Sequence, residues 1–177
     1  MENNLLLEEL KVAMLSEIQN AVRKVKLEPS EKVCYISLYG SDDEPVLSLI
    51  TLGIKSYRDE MLKEGHGQIL WYIWNSGEMP ACYQIGLESV LPSFSEKQEE
   101  FKSLYGEERW GNLWELCQNT RFDVAYQLNH KNWDNITPVT DDFVVYSDWD
   151  DIDVENGDLK RSIPDEKIKL LKEKGLL

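Results

Sequence analysis

The chain has 177 residues, of which 42% are hydrophobic, with six Trp, eight Tyr and four Phe. One domain of that length buries roughly 70% of its extended surface, and this supply of large side chains excludes a disordered acidic polymer. Thirty-three acidic residues against nineteen basic ones give a formal charge of -14, a field that repels nucleic-acid phosphates and anionic membrane surfaces. 

Taken in chain order, the first element is helical. Leu7, Leu10, Met14, Ile18, Val22 and Val25 recur at intervals of three or four among Glu, Lys, Gln and Arg, the pattern of an amphipathic helix with one apolar stripe. The basic run RKVK at 23–26 falls at its end, where positive charge complements the helix dipole. Pro29 then stops it.

KVCYISLYG and PVLSLITLG follow, two runs rich in β-branched and aromatic residues around the polar SDDE. They predict an antiparallel strand pair, with Gly40 and Gly53 at its ends. A short helix is expected over 55–63, closed by the loop GHG. QILWYIWN is apolar on both faces and predicts a third, central strand, and NSGEMP a turn.

The second half is more helical. Ser95 and Gln98 have the spacing of a capping box at the start of a helix over 93–105. A long helix is expected from Asn112 to about Asn129, its inner face formed by Leu113, Leu116, Cys117, Thr120, Val124 and Leu128. DFVVYSD is the final strand, Pro164 opens a terminal helix and Gly175 ends it. Strands early, helices later and no regular βαβ alternation predict an α+β fold, a mainly antiparallel sheet packed against several helices in a single domain spanning 1–177.

No run approaches about 18 apolar residues, the length of a membrane-spanning helix. MENNLLLEELK lacks the basic region of a signal peptide, and a cytoplasmic location is the expectation. Cys34, Cys82 and Cys117 are odd in number and widely spaced, so each is expected to fill a core position as a small hydrophobe.

Catalytic machinery is not legible. The two histidines, His66 in EGHGQ and His130 in LNHKNW, have no partner at the fourth following residue, so H-E-x-x-H zinc chemistry is missing. Cys117 and His130 as nucleophile and base would need a proximity that their separation does not supply, and Cys117 lies on an apolar helix face. No nucleophile elbow, phosphate loop or dinucleotide fingerprint occurs, so no cofactor is expected. If the chain binds or turns over a small molecule, a pocket containing His66, Trp110 or His130 is the place to look.

The most distinctive stretch is YSDWDDIDVENGD at 146–158. Between Lys131 and Lys160 there is no Lys or Arg, while Asp141, Asp142, Asp148, Asp150, Asp151, Asp153, Glu155 and Asp158 accumulate. An EF-hand begun at Asp151 puts Asp153 and Glu155 at its third and fifth positions. It then puts Asn156 where glycine is required and Ser162 where the bidentate carboxylate belongs, so it fails and no metal ligands are assigned. Acidic side chains around Trp149, with Tyr146 and Trp133 nearby, suit a protein interface in which carboxylates steer and aromatics anchor. Asp148, Trp149, Asp150, Asp151 and Asp153 are therefore the candidate partner-binding residues, and a basic protein toxin the candidate partner.

The N-terminal amphipathic helix, the YISLYG strand and its hydrophobic successor, WYIWN, and FVVYSDWD ahead of a Pro-started helix together resemble an uncharacterised bacterial family, domain-of-unknown-function family 4303. The resemblance covers most of the chain and implies no residue roles. Small acidic bacterial proteins of this kind look like immunity proteins of toxin systems.

Overall fold

The fold is seen in a computed structural model describing residues 2–65, 67–105, 109–148 and 158–177. Helix α1 (Glu2–Arg23) leads to strand β1 (Val33–Tyr39) and strand β2 (Leu49–Ile54). Helices α2 (Lys55–Glu64) and α3 (Ile69–Trp74) follow, then a short strand β3 (Gln84–Ile85). Helices α4 (Phe94–Ser103) and α5 (Trp110–Asn129), strand β4 (Val139–Asp148) and helix α6 (Asp165–Glu173) complete the chain.

The four strands form one sheet in the order β3-β2-β1-β4. β1 and β2 pair antiparallel, as the hairpin pattern predicts, with a register shift between Val33 and Tyr35. β2 and β3 are also antiparallel, but β4 lies parallel to β1. That parallel pair requires a long crossover, which the intervening helices supply. The α+β single-domain expectation holds, with a mixed sheet.

Leu10, Met14, Ile18, Ala21 and Val22 of α1 are buried, so the predicted stripe closes the core. α1 packs on α4 and α5, and α5 runs against β4. On the opposite face of the sheet, Trp74 of α3 packs against Tyr35 and Tyr146, with ring centroids 5.8 and 5.4 Å away. Gly175, just beyond the Lys174 cap of α6, has a φ of +69° that suits glycine.

Three local expectations are corrected. QILWYIWN is helical, not a central strand: Ile73 and Trp74 face inward while Trp71 is 40% exposed, a one-sidedness that a helix turn produces. Ser95 and Gln98 form no capping box. Ser95 Oγ reaches Glu44 at 3.4 Å, and Gln98 turns into the core to bind the loop before β2. There its Oε1 accepts from the Val46 and Leu47 amides at 2.8 and 2.9 Å, and its Nε2 donates to Leu47 O at 3.1 Å. Leu116, placed on the inner face of α5 by its spacing, is 39% exposed.

Cys34 and Cys117 are buried as expected, but Cys82 is exposed on a short turn. Burial pushes both buried thiols up to about 12, so neither carries thiolate at neutral pH. Native protein treated with a thiol-specific alkylating reagent should therefore be modified at Cys82 first, with Cys34 and Cys117 labelled only after denaturation. Peptide mass mapping reads the order directly, and rapid labelling of Cys34 in the native state would contradict this packing.

Candidate functional site

The acidic stretch starts from the end of β4, and the strand's alternation decides where its first carboxylate points. Val144, Tyr146 and Asp148 share one face, in register with Tyr35, Ser37 and Tyr39 of β1. Asp148 is consequently turned inward and only 5% exposed, and its Oδ2 accepts from Ser37 Oγ at 3.0 Å. Tyr146 is fully buried and donates to Trp74 O at 2.6 Å, and Trp74 Nε1 donates to Leu176 O at 2.9 Å. Burial, reinforced by the Asp148 charge, holds the Tyr146 phenol well above its ordinary range, so it stays neutral.

Ser147 faces the other way, toward α5. There Arg121, fully buried, donates from Nε to Ser147 Oγ at 3.3 Å and from Nη1 to the Pro45 and Val46 carbonyls. A side chain at Gly40 would collide with this guanidinium, which accounts for glycine at the end of β1. Trp114 lies 5.5 Å from the guanidinium carbon. Burial lowers the Arg121 pKa to about 10, opposed by the negative charge of Asp148, so the group remains cationic at neutral pH. Asp148 and Arg121 thus give the end of β4 a buried polar base with one charge of each sign, the carboxylate on one face of the strand and the guanidinium on the other.

Of the five predicted partner-binding residues, Asp148 is part of this base rather than of the outer surface. Trp149, Asp150, Asp151 and Asp153 lie outside the described residues. The two aromatics taken with them, Tyr146 and Trp133, are core side chains, 0% and 4% exposed. Alternation along FVVYSD carries the signal that Asp148 faces inward, because it stands two residues beyond Tyr146.

His130 and Trp110 do not converge. They stand at opposite ends of α5, roughly 30 Å apart along its axis. His130 is exposed, its Nδ1 3.0 Å from Tyr126 O and its ring 4.9 Å from that of Tyr126. His66 lies outside the described residues. An open cavity of about 310 Å³ begins one residue after His130, between Lys131, Trp133, Asp141, Phe143 and Lys167. In it Lys167 Nζ donates to Phe143 O at 2.7 Å, and Asp141 holds Lys174 at 2.6 Å. Among the described residues, no group of three His, Cys, Asp or Glu side chains is placed to hold a metal ion.

Sequence periodicity did not single out the outer side of α1. Leu5 and Val12, two turns apart, are 62% and 61% exposed, the most exposed large apolar side chains among the described residues. With Glu8, Glu9 and Ala13 of α1 and Lys97 of α4 they line a shallow groove of about 610 Å³. Lys97 bridges the two helices through Glu9 at 2.6 Å. The available clue was that both residues fall off the inner stripe of Leu10, Met14 and Ile18.

No described helix is long and apolar enough to cross a membrane. No family model, curated protein or solved structure matches the chain, so the likeness to domain-of-unknown-function family 4303 rests on the quoted segments alone.

Proposed function

We propose that this chain is a non-enzymatic, cytoplasmic interaction domain that binds and inhibits a basic protein toxin, in the manner of an immunity protein. One observation carries the reading. Among the described residues the buried charged side chains are Arg58, Arg121, Asp142 and Asp148, two of each sign, so their burial consumes none of the formal charge of -14. The acidic excess therefore lies outside the described core, where it attracts a cationic partner over a Debye length and accelerates encounter. The acidic stretch at 149–153 and the segment likeness to family 4303 support the same reading.

Immobilised protein should retain one stoichiometric basic protein from an extract of its native host at low salt, release it at high salt, and abolish its toxic activity in a reconstituted assay. Replacing Asp150 and Asp151 by Asn should slow association more than it speeds dissociation, because long-range charge attraction acts chiefly on encounter. A column that retains nothing at low salt, or a partner indifferent both to salt and to these substitutions, counts against the proposal.

A second reading, small-ligand binding, has the cavity beside Phe143 in its favour. Lys167 is half-buried there, with Nζ 5.4 Å from the Phe143 ring, and burial lowers its pKa. Saturable binding of a small anion that protects Lys167 from acylation would favour that reading over the first.

A further inference from the structure

We infer that the groove between α1 and α4 is the docking site for a cationic amphipathic helix of a partner protein, an assignment that rests on the basic-partner reading above. The inner stripe of α1 is already satisfied, with Leu10, Met14 and Ile18 fully buried. Leu5 and Val12 therefore form a second, outward apolar row that the fold itself does not use. Seven residues separate them, which places them on one side of the helix roughly 10 Å apart. A helix laid in the groove with apolar residues at the same spacing meets both.

Charge selects the occupant. Glu8 and Glu9, both exposed, stand between the two apolar residues and line the groove. Against them the groove offers one ammonium group, Lys97, which bonds Glu9 at 2.6 Å. Glu100 lies one turn beyond Lys97, on the same side of α4. With Glu100, three carboxylates and one ammonium group border the apolar floor, a net excess of two negative charges, which suits lysine or arginine flanking an apolar row. A second copy of this chain is the wrong occupant, since each copy carries a formal charge of -14 and would bring the same glutamates face to face. An acidic helix meets the same repulsion.

The test uses the intact protein and a synthetic leucine–lysine peptide patterned as an amphipathic helix, beside a peptide of identical composition in scrambled order. The patterned peptide should bind saturably, and Leu5→Ser with Val12→Ser should weaken it tenfold or more while leaving the weak, salt-sensitive binding of the scrambled peptide unchanged. Both positions are on the surface, and an unchanged circular dichroism spectrum and Tm verify the variant's fold. Equal binding of the two peptides, or patterned binding indifferent to both substitutions, overturns the groove while leaving a general acidic attraction intact. Failure of both peptides to bind at low salt overturns the groove and the basic-partner reading together. A dimer in sedimentation that Val12→Ser dissolves overturns the cationic helix in favour of a second copy.

Discussion

Asp142→Ala should destabilise the protein by about 3–5 kcal/mol and lower its Tm by roughly 6–20 °C. Asp142 is 5% exposed, and both of its carboxylate oxygens lie 3.1 Å from Arg58 Nη2. Thr140 Oγ1 donates to Oδ1, and Lys174 Nζ approaches Oδ2 at 3.3 Å. The arrangement ties α2, β4 and the residue that ends α6 to one carboxylate. Arg58 is itself 5% exposed, and its Nε and Nη1 have no hydrogen-bond partner among the described residues. Removing Asp142 therefore strands a buried cation whose bonded acceptor has gone. The loss exceeds the worth of one ion pair, because desolvation of Arg58 remains uncompensated.

Replacing both members, Arg58→Met with Asp142→Leu, should recover most of the loss, since an apolar pair of similar volume has no charge to strand. The pH dependence has a definite sign. Burial alone would raise the Asp142 pKa, but the Thr140 hydrogen bond, the Arg58 charge and the Arg58 and Lys174 hydrogen bonds outweigh it and leave it below the ordinary carboxylate value. A depressed folded-state pKa contributes stability that is fully present above about pH 4 and lost as pH falls through the folded value. The gap in urea midpoint between wild type and Asp142→Ala should thus be widest near neutrality and shrink below about pH 4. A gap of the same size at pH 3 and pH 7 would mean that this carboxylate's charge is not the source of the stability.

The elements legible in the sequence are those with a clear period or a distinctive composition. The stripes of α1, α5 and the terminal α6 each mark one buried face, while β1 and β2, buried on both faces, are marked by β-branched and aromatic residues around a polar turn, and each forms within a few residues of its expected span. WYIW could not be resolved because four consecutive large apolar residues satisfy either period, and Gln68 supplies no side-chain cap to mark a helix start. Gln98 was misplaced for a different reason. Its spacing from Ser95 is local, whereas its three hydrogen bonds to Val46 and Leu47 are made across some 50 residues of chain. Neither the parallel pairing of β4 nor the two-residue β3 leaves a periodic trace. The acidic stretch was legible as composition, but composition does not say which carboxylates face water. Asp148 shares the run with Asp150 and Asp151 and yet lies beneath the surface, bonded to Ser37.

Asn129→Leu should cost a further large share of the stability, about 2–5 kcal/mol, and make the protein prone to association. β4 is an edge strand of the sheet, and residues 143, 145 and 147 direct their backbone groups away from β1. Phe143 O, the Val145 amide and carbonyl and the Ser147 amide are met by side chains instead of another strand. Asn129 Oδ1 accepts from the Val145 amide at 2.9 Å, while its Nδ2 donates to Val145 O at 2.6 Å and to Ala125 O and Ser162 O at 3.0 Å. Ser162 Oγ accepts from the Ser147 amide at 3.0 Å, and Lys167 Nζ donates to Phe143 O. One asparagine at the end of α5 thus makes both bonds that a neighbouring strand would make at Val145. Leucine fits the volume but leaves an amide and a carbonyl buried without partners, each worth about 1–3 kcal/mol. Ser162→Ala, which strands one amide, is the graded control and should cost about 1–3 kcal/mol. Asn129, Ser162 and Lys167 occupy the outer edge of β4 at residues 143–147, so a partner strand adds there only by displacing them, whereas side-chain surfaces such as the α1–α4 groove are open for recognition. Equilibrium urea denaturation with sedimentation at several concentrations decides the matter: an Asn129→Leu protein as stable and as monodisperse as Ser162→Ala would show that the side chain does not substitute for a strand.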